Sequence, residues 1–286
     1  MSRGKLLREV VERILGREYA EKVWSRMEIV GDIAVIRKPP DLAPELFIPV
    51  GEEILKTLPY VKSVWLAITP IKSQYRVREH VFLAGERRSV TTYREHGCVF
   101  KIDINNVYVS PALNYEHRRV AELVSPGEFV INMFAGVGLF SIIIAKKARP
   151  KQVISIDVNP QAYELMLENI TLNKVEGVVT ARLGDAAQVI KDYVNSADRV
   201  LMPLPEYSRT YLPEAVSALD RRGVIHVYDF VSAENREEAL LNGREVFERE
   251  LRRLGVMYEF LFSRVVRSVG PRYYQVVLDI YIVRKQ

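Results

Sequence analysis

Cysteine is almost absent from this sequence, since Cys98 is the single cysteine in 286 residues. One cysteine excludes an internal disulfide and any metal site built from several cysteines, and nothing else in the sequence requires a metal. Apolar runs as long as the roughly 20 residues of a membrane-spanning helix are also missing. The N-terminus, Met1-Ser2-Arg3-Gly4-Lys5, leads into charged residues, so we expect no signal peptide, no membrane partner and a cytoplasmic location.

The composition is that of a globular protein with a sizeable core. Hydrophobic residues make up 48% of the chain and charged residues 27%, and the length allows two domains. The net charge of +5 and the pI of about 9.1 favour an anionic partner such as a nucleic acid.

The N-terminal part predicts a small α+β domain with an antiparallel sheet, over residues 1–109. Apolar residues at helical spacing predict a helix over 5–26, and Gly31-Asp32 between two apolar runs predicts a hairpin over 28–36. The remaining predicted elements are a helix over 47–58 and strands over 61–69, 74–88, 90–94, 98–104 and 106–109.

The C-terminal part, residues 110–286, alternates strands and helices and predicts a doubly wound, Rossmann-like parallel sheet. Its last two strands, 257–266 and 273–284, follow each other without a helix. A final hairpin of this kind adds an antiparallel strand to the sheet. This arrangement is typical of class I methyltransferases that use S-adenosylmethionine (SAM), and it distinguishes them from dinucleotide dehydrogenases.

A glycine turn marks the predicted cofactor site. The apolar run from Val130 ends in Ala135-Gly136-Val137-Gly138, and a helical pattern follows. The third glycine of a dinucleotide motif is replaced by Ser141, which disfavours a pyrophosphate ligand. SAM has no pyrophosphate and needs only a close approach to the backbone.

Two aspartates follow neighbouring predicted strands at the same edge of the sheet. Asp157 is placed to bind the ribose hydroxyls, and Asp185 to lie near the adenine amino group. Helix capping is the alternative role for each aspartate. Together with the glycine turn, the pair favours a cofactor site.

The chain resembles the archaeal and eukaryotic tRNA (guanine-37 N1)-methyltransferase family, which includes relatives in the wyosine pathway. The resemblance extends over residues 28–284. It is carried by Phe134–Gly138 with Phe140-Ser141, Ile156–Pro160, Glu168–Ile170, Leu172–Lys174, Tyr75–Glu79, Leu83–Glu86, Val107-Tyr108, Ser110-Pro111, Ala197–Val200 and Gly223–His226. It implies a class I SAM-dependent domain, a preceding recognition domain, and tRNA as partner, with position 37 of the anticodon loop as target. Family members often have a further small N-terminal domain, for which we expect this chain to be too short.

The resemblance also implies roles for individual residues. Glu116 matches the proposed general base and Arg76 the arginine that stabilises developing charge on O6. The alternative for Glu116 is an acidic residue in the first turn of a helix, where it interacts favourably with the helix dipole. The alternative for Arg76 is an ordinary arginine on a strand. The implied cofactor contacts are Tyr108, Phe134, Ala135, Gly136, Val137, Gly138, Asp157, Val158, Asp185, Ala186 and Met202.

The segment that contacts the target base in the family departs from the family pattern. Pro203 stands where the family has Asn, and proline offers neither a side-chain amide nor a backbone N–H. Ala112 also stands where the family often has Arg. The expected base contacts are Pro203, Leu204, Pro205 and Tyr207, the last by stacking.

Several arginines are candidates for tRNA contact, with a scattered solvated surface as their alternative. They are Arg78, Arg87, Arg88, Arg118, Arg119, Arg267 and Arg272.

Four functions are consistent with the sequence. The first is N1-methylation of guanosine 37, and the second is methylation of C7 of the tricyclic imidazoline base (4-demethylwyosine) at the same position. The loss of Asn at Pro203 and the expected lack of the further N-terminal domain give the second nearly the weight of the first. A non-catalytic tRNA-binding protein is disfavoured because Gly136, Asp157 and Asp185 are present. Transfer of the aminocarboxypropyl group of SAM is mildly disfavoured, since those relatives usually have Glu at position 157.

Overall fold

The computed structural model describes residues 3–23, 27–69 and 75–284. Compact units cover Met1–Pro111 and Ala112–Gln286, whereas the sequence predicts a boundary after residue 109. The end of the helix predicted over 5–26 and the first residue of the strand predicted over 74–88 lie outside the described residues. Within the described ranges, no helix combines the length and the apolar composition needed to cross a membrane.

The first unit contains three α-helices and six strands in the part of it that is described. In chain order they are α1 (Arg3–Leu15), α2 (Arg17–Lys22), β1 (Glu28–Val30), β2 (Ile33–Arg37), α3 (Ile48–Thr57), β3 (Ser63–Ala67), β4 (His80–Gly85), β5 (Val90–Glu95) and β6 (Cys98–Asp103). Gly16, with a φ of +102°, separates α1 from α2, so the single helix predicted over 5–26 is wrong at this point.

The sheet of the first unit is mixed, which corrects the prediction of an antiparallel sheet. Its order is β1-β2-β3-β4, and β2 pairs with β3 in parallel because α3 crosses over between them. Strands β5 and β6 form a separate antiparallel hairpin. The strand predicted over 106–109 is wrong, because Asn106 ends a turn and residues 107–109 lie in no strand or helix. The N–H groups of Asn106 and Val107 donate to the carbonyl of Asp103.

The second unit alternates helices and strands. Its elements are α4 (Asn114–Leu123), β7 (Phe129–Asn132), α5 (Leu139–Ala148), β8 (Gln152–Asp157), α6 (Pro160–Leu172), β9 (Val179–Leu183), α7 (Ala186–Val189), β10 (Ala197–Met202), α8 (Leu212–Ala218), β11 (Leu219–Ser232), α9 (Arg236–Arg253), β12 (Met257–Gly270) and β13 (Tyr273–Val283).

The sheet of the second unit confirms the predicted class I architecture. Its order is β12-β13-β11-β10-β7-β8-β9. Strands β7 to β11 are parallel, while β13 runs antiparallel to both β11 and β12. The final hairpin is therefore inserted so that β13 lies between β11 and the edge strand β12.

Burial of aliphatic side chains holds this sheet between its helices. Ile131, Ile154, Val200 and Ile225, from the four central parallel strands, are each at most 1% exposed. Full burial of such a side chain contributes about 1.5–3 kcal/mol. Because parallel strands end at the same edge, the carboxyl ends of β7, β8, β9 and β10 meet there, and they place the candidate site.

Two hairpin glycines provide a test of the first unit. Gly31 joins β1 to β2 and Gly97 joins β5 to β6, and both have positive φ, +58° and +82°. A Cβ at Gly31 would overlap the Thr91 hydroxyl and the Thr92 carbonyl, whereas a Cβ at Gly97 would meet open space. We expect Gly97→Ala to cost about 1–2 kcal/mol and Gly31→Ala more than about 3 kcal/mol. Urea unfolding of the two variants measures the difference, and equal costs would contradict the described packing at Gly31.

Candidate active site

The loop between β7 and α5 is a tight turn over Ala135–Gly138. Gly136 and Gly138 have φ values of +55° and +93°, in the left-handed region that other residues rarely adopt. The Gly138 N–H donates to the Ala135 carbonyl over 2.9 Å and closes the turn. Because α5 begins at Leu139, its first turn has N–H groups without acceptors inside the helix. The turn therefore offers backbone donors and close access to the chain.

Asp157, the last residue of β8, reaches back to this turn. One carboxylate oxygen accepts from the Gly136 N–H at 2.6 Å and the other from the Asn159 N–H at 2.9 Å. The cap of α6 is Asn159, which accepts from the Gln161 N–H, so helix capping does not explain Asp157. Burial raises the pKa of Asp157, and its hydrogen bonds to the two N–H groups oppose that rise. Asp157 as a whole is partly exposed.

Asp185 combines a capping role with a contact that the sequence did not indicate. One oxygen caps α7 through the Ala187 N–H, as the capping alternative proposes. The other oxygen accepts from the Tyr211 hydroxyl at 2.5 Å. Burial and the Asp185 carboxylate raise the pKa of Tyr211 to about 12. The Tyr211 ring also packs edge-on against Phe134, with the ring centres 5.3 Å apart.

These groups fit the chemistry of SAM. A carboxylate at Asp157 suits the two ribose hydroxyls, and the backbone donors of the glycine turn suit the amino-acid part. Asp185 would accept from the adenine amino group beside the aromatic ring of Phe134. When bound, SAM supplies an electrophilic methyl group.

Not every predicted cofactor residue has a side chain available for contact. Val137, Ala186 and Met202 are buried in the core of the second unit. Val158 is partly exposed beside Asp157.

The segment after β10 carries the predicted base contacts. Pro203 and Leu204 are partly exposed, Pro205 is buried, and Tyr207 is exposed. Its shape is held by the Ser208 hydroxyl, which donates to the Pro205 carbonyl at 3.0 Å. The Tyr207 ring lies edge-on to Tyr211 with the ring centres 6.1 Å apart. Tyr211 therefore connects the base segment to Asp185.

Glu116, the predicted general base, is enclosed by cationic and phenolic donors. It is 1% exposed. One carboxylate oxygen accepts from Arg264 at 2.9 Å, and the other from Arg119 at 2.9 Å and Tyr228 at 3.1 Å. These three donors occupy both carboxylate oxygens, so a substrate proton could reach Glu116 only after one of them moves. The role of Glu116 as base stays a prediction.

Arg76, the predicted charge-stabilising residue, belongs to the first unit. Its backbone φ is +57°, an uncommon value for a residue with a side chain. Its guanidinium carbon lies 4.2 Å from the ring centre of Tyr108, another predicted site residue. The structure thus brings Arg76 and Tyr108 together by a cation–π contact.

The arginines predicted to bind tRNA differ in their exposure and in their ion-pair partners. The tRNA contact predicted for Arg119 is corrected, because the Arg119 side chain is only 11% exposed and is paired with Asp279 and Glu116. Arg88 is partly buried and paired with Asp32 and Glu86. Arg87 is exposed, and Arg118 and Arg272 are exposed in pairs with Glu122 and Glu234, while Arg78 and Arg267 are partly exposed.

A buried polar network continues from Arg119 through the sheet. Arg119 donates twice to Asp279, and His226 lies 2.6 Å from the same carboxylate. Arg199 can only donate, so the Nε2 of His226 accepts from it and the Nδ1–H donates to Asp279. Burial lowers the pKa of His226. Although burial opposes the change, His226 and Arg119 lower the pKa of Asp279 to about 2.

We expect Asp157→Asn to weaken binding of S-adenosylhomocysteine about 10- to 100-fold, because hydrogen bonds to a charged acceptor contribute about 1.5–3 kcal/mol each. The matched control is Asp192→Asn, which changes an exposed aspartate paired with Arg182. Calorimetry measures both affinities, and equal affinities for the two variants would remove Asp157 from the site.

Comparison with protein families matches both parts of the chain. Residues 91–256 match the TRM5/TYW2 methyltransferase domain. Residues 7–88 match the TYW2 N-terminal domain.

Two curated relatives are similar over most of the chain. The tRNA 4-demethylwyosine(37)-methyltransferase Taw21 of Saccharolobus solfataricus is 41% identical over 91% of this chain and 95% of its own length. The tRNA (guanine(37)-N(1))-methyltransferase Trm5b of Pyrococcus abyssi is 38% identical over 95% of this chain and 78% of its own length.

Solved structures show the same fold. The complex of aTrm5 and tRNALeu has a TM-score of 0.84 at 32% identity, and covers 97% of this chain and 78% of that chain. TYW2 of Pyrococcus horikoshii in complex with MeSAdo has a TM-score of 0.77 at 28% identity, over 99% of this chain and all of that chain. The chain belongs to the TRM5/TYW2 methyltransferase family.

Proposed function

We propose that this protein methylates C7 of 4-demethylwyosine, the tricyclic imidazoline base at position 37 of tRNA. The protein is a SAM-dependent tRNA methyltransferase, as its family, its relatives and its fold show. The open question is which base at position 37 receives the methyl group. The observation that carries the proposal is Pro203 in the base segment.

Proline at position 203 removes a polar contact to the base. Neither its ring nor its backbone nitrogen donates a hydrogen bond, so at position 203 only the carbonyl oxygen can read a base edge. A site built to hydrogen-bond one base loses discrimination strongly when that group is missing. The segment instead presents the apolar surfaces of Pro203 and Leu204 and the exposed ring of Tyr207. A tricyclic base has a larger flat surface than guanine and gains more from stacking.

The relatives support the same choice. The 41% identical Taw21 is named as a 4-demethylwyosine methyltransferase, and the match extends over 95% of it. The N-terminal residues match a domain named for TYW2.

N1-methylation of guanosine 37 is the second candidate, supported by Glu116, Arg76 and the 38% identical Trm5b. In that reaction a carboxylate would remove the N1 proton and an arginine would stabilise charge on O6. Before Glu116 could accept this proton, its contact with Arg264 or Arg119 would have to break so that the substrate could take that place.

Two tRNA substrates separate the candidates. The protein is incubated with SAM and either a tRNA with unmodified guanosine 37 or a tRNA with 4-demethylwyosine 37. We expect mass spectrometry of the nucleosides to show a methylated tricyclic base, with less product from the Asp157→Asn variant at a SAM concentration that does not saturate it. Product only from the guanosine tRNA would contradict the proposal and support the second candidate.

Pro203 itself can be tested by restoring the family residue. We expect Pro203→Asn to raise the rate of guanosine-37 N1 methylation at least about tenfold, because the amide again supplies a hydrogen bond to the base edge. Pro126→Asn, in an exposed turn before β7, is the matched control. A guanosine rate equal to that of the control would show that position 203 does not select the base.

A further inference from the structure

A stacked pair of exposed side chains lies beside the enclosed Glu116. The guanidinium carbon of Arg264, on β12, is 4.1 Å from the ring centre of Tyr115, on α4. Tyr115 is 57% exposed, and the side chain of Arg264 is 37% exposed. Arg264 also donates to Glu116 at 2.9 Å. A solvent-facing arginine is thus held at two points, by an aromatic ring and by a buried carboxylate.

The register of the sheet explains how the residues meet. Tyr228 of β11 pairs with Val277 of β13, and Val277 pairs with Arg264 of β12. Directly paired residues on antiparallel strands point to the same face of a sheet. Tyr228 and Arg264 therefore both point toward α4, where Glu116 accepts from each of them.

The same row of the sheet leads to the base segment. Met202 of β10 is in register with Val227 of β11, so the next residues, Pro203 and Tyr228, lie level. Neighbouring strands are about 4.8 Å apart, which places the backbone of Arg264 about 14 Å from that of Pro203 across three strand spacings. This is a distance at which a nucleotide next to the target could be held.

Arg264 is the most exposed of the three arginines that pair with the buried carboxylates around α4. Three carboxylates (Glu116, Glu128 and Asp279) are matched by three guanidinium groups (Arg119, Arg199 and Arg264). The Arg119 and Arg199 side chains are 11% and 8% exposed, against 37% for Arg264. A guanidinium has five N–H groups, and one of those of Arg264 is directed to Glu116.

We propose that Arg264, stacked on Tyr115 and anchored by Glu116, binds an RNA phosphate next to the target nucleotide. The proposal rests on tRNA being the substrate and does not depend on which base is methylated. The planar guanidinium matches a phosphate with two parallel hydrogen bonds. Because the side chain is already ordered by Tyr115 and Glu116, little of its conformational entropy is lost on binding. Glu116 acts here as a positioning residue for Arg264.

The test measures tRNA affinity in the presence of S-adenosylhomocysteine, from about 50 to about 200 mM salt. We expect Arg264→Ala to raise the tRNA Kd about five- to tenfold at the lower salt. The slope of log K against log salt should fall by about 0.7, the value for one contact to a single-stranded phosphate. Arg264→Lys keeps the charge and should restore the slope. The control, Arg253→Ala on the exposed side of α9, should bind tRNA like the unchanged protein.

Binding of S-adenosylhomocysteine, measured by calorimetry, shows that each variant is folded and should change less than twofold. Tyr115→Ala gives an independent measurement, since it removes the stacking surface and keeps both charges. We expect it to raise the tRNA Kd about two- to fourfold with the salt slope unchanged. If Arg264→Ala and Tyr115→Ala both bind tRNA as tightly as the control, the proposal is wrong.

Glu116→Gln distinguishes anchoring from base catalysis. As an anchor, Glu116 affects tRNA affinity, so Gln should raise the tRNA Kd of both test tRNAs. A large fall in single-turnover rate with unchanged tRNA Kd would instead assign Glu116 to proton removal and would overturn its role as anchor. Because affinity is compared on both tRNAs, failure of the phosphate contact is separable from a wrong target base.

Discussion

The second unit depends on a chain of buried ion pairs that ties helix α4 to the sheet. Arg119 on α4 is shared by Glu116 and Asp279, and Asp279 continues to His226. Removing one partner from a buried pair costs about 3–5 kcal/mol, because the other charge is left uncompensated. The position of α4 is therefore set by electrostatics as well as by apolar packing.

The two halves of the candidate site differ in the polarity of the groups that they present. At the ends of β7, β8 and β9, the glycine turn, Asp157 and Asp185 provide groups that suit SAM. At the end of β10, the segment beginning at Pro203 offers apolar and aromatic surface with few donors. Tyr211 contacts Asp185 through its hydroxyl and lies against both Phe134 and Tyr207. The cofactor edge and the base segment are thus packed against one aromatic residue.

Local patterns in the sequence were sufficient for the architecture of the second unit. Its alternating elements, the turn at Gly136 and the final hairpin depend on residues that are close in the chain. The errors lie in the first unit, where topology depends on the path of a connection. Strands β2 and β3 are parallel because α3 crosses between them. The helix predicted over 47–58 already indicated this crossover, and the prediction of an antiparallel sheet did not take it into account. The turn at Asn106 was mistaken for a strand because its residues are apolar and β-branched in part.

The sequence by itself determined the fold class, because the alternation of helices and strands depends on spacing along the chain, and its motifs carried the resemblance to the family. Only the tertiary structure decided which charged residues face inward. Arg118 and Arg119 are neighbours in sequence, yet one is exposed while the other is bound to Asp279, 160 residues away. Arg264 meets Glu116 across 148 residues. Such pairs form because burial removes water from both charges, and burial depends on strand register and helix packing that no local pattern encodes.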